Sequence, residues 1–227
     1  VLNAIFESIY GENPYKSPTD MGVNMAGFCI SDDEVCSQAS KDEIIRRYYN
    51  TLCNLADGRA SESEVNKIKL LMKQLKLTTD DRPTVKAAHQ REEIEHTVAS
   101  AIGLADGTII TAHSSSLLSA SAALLINALK HLAGIDHNLQ LIPQATIEPI
   151  QKTKLEMLHS RAPRLHSDEV LVTLSILSLS DTNCRKALDC LPQLQGCQVH
   201  ATKMLSEVDR KIFNRLGIQF TTDPVKI

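Results

Sequence analysis

The chain has 227 residues, 43% of them hydrophobic, enough for one large domain or a domain plus an extension. Its formal charge of −3, without Trp and with few other aromatics, excludes both the basic footprint and the stacking platforms of a nucleic-acid binder. The longest apolar stretch, "ALLINAL" (123–129), is far too short to span a bilayer, so no membrane partner is expected.

The chain begins at Val1, in what reads as a helix with Leu2, Ile5, Phe6 and Ile9 at helical spacing, and "GENP" (11–14) ends it. A turn-rich stretch follows, "SPTDMGVNMAGF" (17–28), with residues 23–30 alternating small and apolar like a strand. Thr19, Asp20 and Asn24 are short polar groups suited to holding turns or to binding a ligand. Ser31 to Glu34 is a capping-box pattern, and a second one at Ser40 to Glu43 marks either a break or a false start. The stripe of Ile44, Ile45, Tyr48, Leu52 and Leu55 runs to Asp57-Gly58. Ser61 to Glu64 opens the next helix, and Asp81 with Pro83 opens another, expected to run to Gly103 through Val85, Ala88, Ile94, Val98 and Ile102. Residues 31–103 thus read as a helical block without a strand.

The texture then changes. "GTIITA" (107–112) is short and β-branched, hence a strand. The next helix follows with Leu118, Ala122, Leu125, Leu129 and Leu132 on one face and Gly134 as its stop. "LQLI" (139–142) reads as a second strand, and 146–158 as a helix with Pro149 in its first turn. Ser167 caps an apolar run that fits either period, for which that serine and the acids behind it favour helix, and Asp181 caps a short helix stopped by Pro192. Last come "CQVHAT" (197–202), a helix from Ser206 to Leu216, and "IQFTT" (218–222), a βαβ unit whose strands should be parallel.

The strong local motifs are absent: there is no GxGxxG, GxxxxGK[ST], HExxH, GxSxG or EF-hand loop. The six cysteines (Cys29, Cys36, Cys53, Cys184, Cys190 and Cys197) never form CxxC, so zinc-ribbon and thioredoxin-like readings fail. With no signal peptide or glycosylation sequon in the chain as given, they are expected to be reduced packing residues of a cytoplasmic protein. No cofactor follows from the sequence.

Two strand-to-helix junctions are the best local candidates for chemistry. In "TAHSSS" (111–116) His113, Ser114 and Ser115 stand where a helix N-terminus should offer free N–H groups to a phosphate or carboxylate. The plainer reading is that one serine caps the helix and the rest are solvated. In "VHATKMLS" (199–206) the residues are His200 and Thr202; were the two strands neighbours, His113 and His200 would form an acid–base pair in one cleft. Taken singly, a histidine within a strand is more often a hydrogen-bonded core residue. "RAPRLHSDE" (161–169) gathers Arg164 and His166 with acids that either bind an anion with them or simply favour a helix N-terminus. "HQREEIEH" (89–96) places His89, Glu92, Glu93 and His96 within two turns; a solvated charged face outweighs a metal site there.

The strings "YKSPTDMGVNMAGFCI", "EIIRRYY", "LLINALKHLAGI", "EPIQKTKLEML", "PRLHSDEVL" and "GCQVHATKMLSEVDRKIFNRLGI" resemble the bacterial conserved-hypothetical family known as the domain of unknown function numbered eighteen forty-six. The resemblance covers nearly the whole chain and points to the family's C-terminal half. It implies a cytosolic α/β protein, about twice this length, that self-associates; the family has no established activity, so no catalytic residue transfers.

The expectation is therefore α/β: a helix-rich block (31–103) plus a small, at least partly parallel sheet flanked by helices (104–227), with residues 1–30 as the junction to a missing N-terminal domain. The first functional reading is an enzyme or ligand-binding domain for a small anionic ligand. Its cleft would be lined by His113, Ser114, Ser115, His200 and Thr202, with Thr19, Asp20 and Asn24 facing them. The second is an assembly module of a homo-oligomer, built on the helices of 31–103, with any chemistry in the N-terminal half. Metal catalysis ranks behind both.

Overall fold

The computed structural model describes Ile5, residues 8–11 and residues 32–226. Thr19, Asp20, Asn24, the 23–30 alternation and Ser31 lie outside the described residues. The elements run α1 (Asp33–Ala56), α2 (Glu62–Gln74), α3 (Pro83–Glu95), β1 (Ala99–Gly103), β2 (Ile109–His113) and α4 (Ala120–Leu132), then α5 (Gln144–Lys152), α6 (Ser167–Leu177), α7 (Thr182–Asp189), β3 (Gln198–Ala201), α8 (Glu207–Arg215) and β4 (Gln219–Thr222). The protein is α/β as expected, with a partly parallel four-stranded sheet flanked by helices.

Helix starts follow local chemistry closely. The cap expected at Ser31 falls one residue later, on Asp32, whose side chain accepts from the Val35 N–H at 3.0 Å, and the cap expected at Ser167 falls one residue earlier, on His166. The Ser40–Glu43 pattern is a false start: α1 runs through it, and the Ser40 hydroxyl donates back to the Cys36 carbonyl. Ser61 and Glu64 form the expected reciprocal box at α2, and Pro83 occupies the first turn of α3.

The strand order is β2-β1-β3-β4. β1 pairs antiparallel with both β2 and β3, while β3 and β4 are parallel across the α8 crossover, as their βαβ order requires. Three expectations fail here. α3 does not reach Gly103: it ends at Glu95, His96 turns left-handed (φ 54°), and residues 99–103 form the central strand β1. Val98 and Ile102 fit helical spacing by coincidence, and β1, buried on both faces with small side chains, shows no alternation. "LQLI" is a loop, not a strand, whose Leu141 and Ile142 plug the core. Pro149 sits in the interior of α5, which continues as one wider π turn over Thr153–Met157.

Pairing register gives the sheet two chemically different faces. One carries Ile102, Ile110, Ala112, Val199 and Phe220, and joins α4, α6, α7 and α8 in the main core around Leu125, Leu129, Leu174 and Phe213. The other carries Ala99 and Ala101 in its middle, flanked by Thr111, His113, Gln198, His200 and Thr221. The two alanines let α3 lie close over this polar face. A second, smaller core of Ile44, Ile45, Tyr49, Met72 and Val85 binds α1, α2 and α3 together.

Cys36, Cys53, Cys184, Cys190 and Cys197 are free thiols, the last three buried. Among the described residues, no helix is long and apolar enough to cross a membrane.

Candidate functional site

The polar face under α3 concentrates the ionisable groups. β3 places His200 at its centre, fully buried, opposite Ala101 on one side and Thr221 on the other. α3 brings His89 down onto it, and the chain leaving β4 brings Asp223. The His89 Nε2–H donates to Asp223 Oδ2 at 2.7 Å, and His200 Nε2 faces Asp223 Oδ1 at 3.5 Å without a hydrogen-bond partner. The two imidazole rings stand perpendicular, their centroids 5.4 Å apart, and the Tyr49 ring packs on His200 at 4.8 Å.

The opposite edge of His200 is fixed. Its Nδ1 lies 2.9 Å from Thr221 Oγ1, and the Thr221 hydroxyl donates to the Val199 carbonyl at 3.2 Å. Where Thr221 gives its proton to Val199 it accepts from Nδ1–H and Nε2 is left as an acceptor; where it donates to Nδ1, Nε2–H points at Asp223 Oδ1. Burial pushes the His200 pKa down, and Arg82 and His89 add to the effect. Desolvation alone would raise the Asp223 carboxyl, yet the imidazoles of His200 and His89 hold it below its usual range.

Arg82, at the N-cap of α3, is also fully buried beneath this face. One terminal nitrogen donates to the carbonyls of Val199 and Gln219 at 3.3 and 2.5 Å, while Nε and the other terminal nitrogen have no partner among the described residues. Burial lowers its pKa to about 10. Next along α3, Glu92 accepts from Thr202 Oγ1 at 2.7 Å, and Thr202 in turn accepts from the Ala99 N–H.

The residues singled out from the sequence separate into different places. His113 and His200 share the polar face, but β1 lies between their strands, so they are not neighbours. Two interstrand steps put their backbones roughly 10 Å apart. His113 instead meets Arg91 at 3.2 Å and Glu95 at 3.7 Å. "TAHSSS" offers no helix N-terminus, because α4 starts only at Ala120 under a Ser119 cap. The Ser114 N–H is spent on Val98, and the Ser115 hydroxyl accepts from the Leu117 and Leu118 N–H groups. Arg164 donates to the Ser115 carbonyl at 2.7 Å, which joins two of the expected binding residues by a structural bond. His166 pairs with buried Asp209 at 3.2 Å, beside Ser206. That hydrogen bond raises the His166 pKa; Asp209 stays low despite burial because His166, Ser167 and Ser206 all bind it. His89 and His96 do not act together, since His96 is the left-handed cap of α3. The sequence reading passed over Asp223, and its only local signal was an acid directly after a strand.

A cleft of about 520 Å³ opens along the outer edge of β4, between α1 and α8 and beside the β3–α8 crossover at Met204 and Leu205. Arg46, Asn50, Asn54, Arg59, Arg210 and Asn214 line it. Arg46 pairs with Glu43 at 2.6 Å and Arg59 with Asp57 at 2.6 Å, whereas Arg210 has no salt bridge or side-chain hydrogen bond among the described residues. At the cleft wall, the Cys53 thiol lies 3.4 Å from the Thr222 carbonyl, one residue before Asp223.

Comparison with known proteins matches residues 80–226 to the family model "Domain of unknown function DUF1846, C-terminal" and residues 1–76 to "Domain of unknown function DUF1846, N-terminal". The expectation that only the C-terminal half of the family is represented is thereby corrected, since the first third matches the N-terminal model. Similar proteins include a UPF0371 protein of Corynebacterium aurimucosum, 50% identical over 225 residues, which cover 99% of this chain and 45% of that one. Another is a UPF0371 protein of Streptococcus thermophilus, 45% identical over 224 residues, with 99% and 45% covered. The chain thus spans less than half the length of the curated relatives it matches.

Proposed function

We propose that this chain, which belongs to the family of the domain of unknown function DUF1846, holds a small phosphate- or carboxylate-bearing ligand in the cleft along β4. The single observation that carries the reading is Arg210, a guanidinium lining the cleft with no salt bridge among the described residues, beside Arg46 and Arg59, which pair with Glu43 and Asp57. Arginine offers paired N–H donors that match the oxygens of a phosphate or carboxylate, and the asparagines add neutral donors and acceptors. The cleft adjoins the second of the two junctions recognised in the sequence, so an anionic ligand remains the class while its place moves from His113 to the α1–α8 gap. Free thiols support a cytoplasmic setting.

Isothermal titration of the intact protein with inorganic phosphate and with succinate tests the proposal. Saturable binding of one anion is expected, weakened at least about tenfold in Arg210→Glu, because one charge-assisted hydrogen bond contributes on the order of 1.5–3 kcal/mol. Absence of binding by both anions, or equal binding by the variant, refutes it.

The assembly reading has its own observation. Val172, Ile176 and Leu179, spaced along and just beyond α6, are 61%, 63% and 81% exposed. An apolar row of that kind favours self-association through α6 rather than through the helices of 31–103. Light scattering on Ile176→Lys against the parent distinguishes it: a parent oligomer that becomes a monomer supports the reading, and a monomeric parent removes it.

A further inference from the structure

We infer that His89, His200 and Asp223 form a binding site for a divalent transition-metal ion of the zinc class. Each offers one ligand atom, and these atoms all lie within 4.8 Å of one another. They come from a helix, a strand and the chain leaving the neighbouring strand, elements whose positions the packed sheet fixes.

Three observations converge on the same point in space. The first is His200 Nε2, on a fully buried side chain, with no hydrogen-bond partner among the described residues. It faces Asp223 Oδ1 at 3.5 Å, and a cation between a neutral imidazole nitrogen and a carboxylate oxygen is attracted by both. The second is the Thr221 hydroxyl, 2.9 Å from Nδ1, which fixes the ring orientation and can accept from Nδ1–H once a metal takes Nε2, as the outer partner of a metal-bound histidine does. The third is openness on one side: the His89 side chain is 42% exposed and Asp223 20%, so an ion can enter and keep a water or substrate ligand.

The donor set decides the class of ion. Two imidazole nitrogens and one carboxylate oxygen suit zinc and its first-row neighbours, whereas calcium and magnesium require mostly oxygen donors. Ligands around a tetrahedral zinc stand roughly 3.3–3.5 Å apart, given bonds of about 2.0–2.1 Å. With one atom from each residue the three lie within 4.8 Å of one another, wider than the tetrahedral spacing, so the side chains close on the ion by about 1 Å; the two imidazoles already stand 3.5 and 2.7 Å from the two oxygens of the Asp223 carboxylate. Arg82 beneath the face repels a divalent ion as it repels a proton on His200. The negative charge of Asp223 is therefore needed for charge balance as well as coordination.

The test is zinc titration of the intact, chelator-treated protein, followed by metal analysis after gel filtration, with cobalt as a spectroscopic probe. One zinc per chain is expected, with a rise in Tm and the intense visible bands of four- or five-coordinate cobalt. His89→Ala, at a half-exposed position, and the isosteric Asp223→Asn should each weaken zinc binding about 100-fold or more and abolish the cobalt bands. Their metal-free Tm should stay within a few degrees of the parent, which separates loss of a ligand from loss of the fold. Zinc at background level in the parent, cobalt without those bands, or undiminished zinc in either variant overturns the inference. Phosphate binding in the β4 cleft is read separately through Arg210, so the two proposals fail independently.

Discussion

Arg82 tests how much a buried charge adds to this fold. It is fully buried, donates through one nitrogen to two strand carbonyls, and leaves its other nitrogens without partners among the described residues. Exchange for methionine removes the charge and keeps most of the stem. A guanidinium held down from 12.5 to about 10 carries a burial penalty of roughly 3 kcal/mol in its charged form. The lost bonds to Val199 and Gln219 cost on the order of 2–3 kcal/mol together. The terms nearly cancel, so Arg82→Met should fall within about 1 kcal/mol of the parent. Arg82→Ala adds the loss of two buried methylenes and a cavity, and should sit about 2 kcal/mol or more below the methionine variant. Urea unfolding of the intact protein, with m-values compared among the three, measures both. A methionine variant destabilised by 3 kcal/mol or more would refute the reasoning, because the guanidinium would then be a net stabiliser with partners that satisfy it.

Three further outcomes follow from named groups. His200 has a pKa below its ordinary 6.5 in the folded state, so its contribution is present above pH 6.5 and is lost as the pH falls below it. Metal-free protein should therefore lose Tm between about pH 7 and 5.5, and His200→Gln should flatten that limb. His166, with its pKa raised by Asp209, works in the opposite direction: its stabilisation is complete below about 6.5 and disappears as the pH rises through the folded pKa, so His166→Gln should lose that alkaline decline. A parent and His200→Gln variant with parallel Tm–pH curves would contradict the first assignment. Ser61→Ala, which breaks the reciprocal cap at α2, should cost about 1 kcal/mol. Because α2 packs in the smaller core, hydrogen exchange should speed up in its amides while the sheet amides change little.

Much of the fold was legible locally. The Ser61 box, Pro83, the Asp181 cap, whose side chain accepts from Asn183 and Cys184, and the β3–α8–β4 order are short-range signals that the structure realises directly. The misreadings have separate physical sources. Ala99, Ser100, Ala101 and Ile102 are buried on both faces of the sheet, so β1 has no polar side to alternate with, and its two larger neighbours mimic a helical stripe. Serines 114–116 looked like a helix N-terminus, but their backbone and hydroxyl groups close a turn before α4 begins.

By itself, the sequence determined where most of the helices start, because caps depend on contacts within a few residues, and that the last two strands run parallel, because one short helix joins them. The tertiary structure alone decided that β1 stands between β2 and β3, which separates His113 from His200. It alone brought His89 and Asp223, 134 residues apart, within 2.7 Å of each other. Strand order and the closeness of α3 over Ala99 and Ala101 are set by packing between distant segments, and no local pattern carries that information.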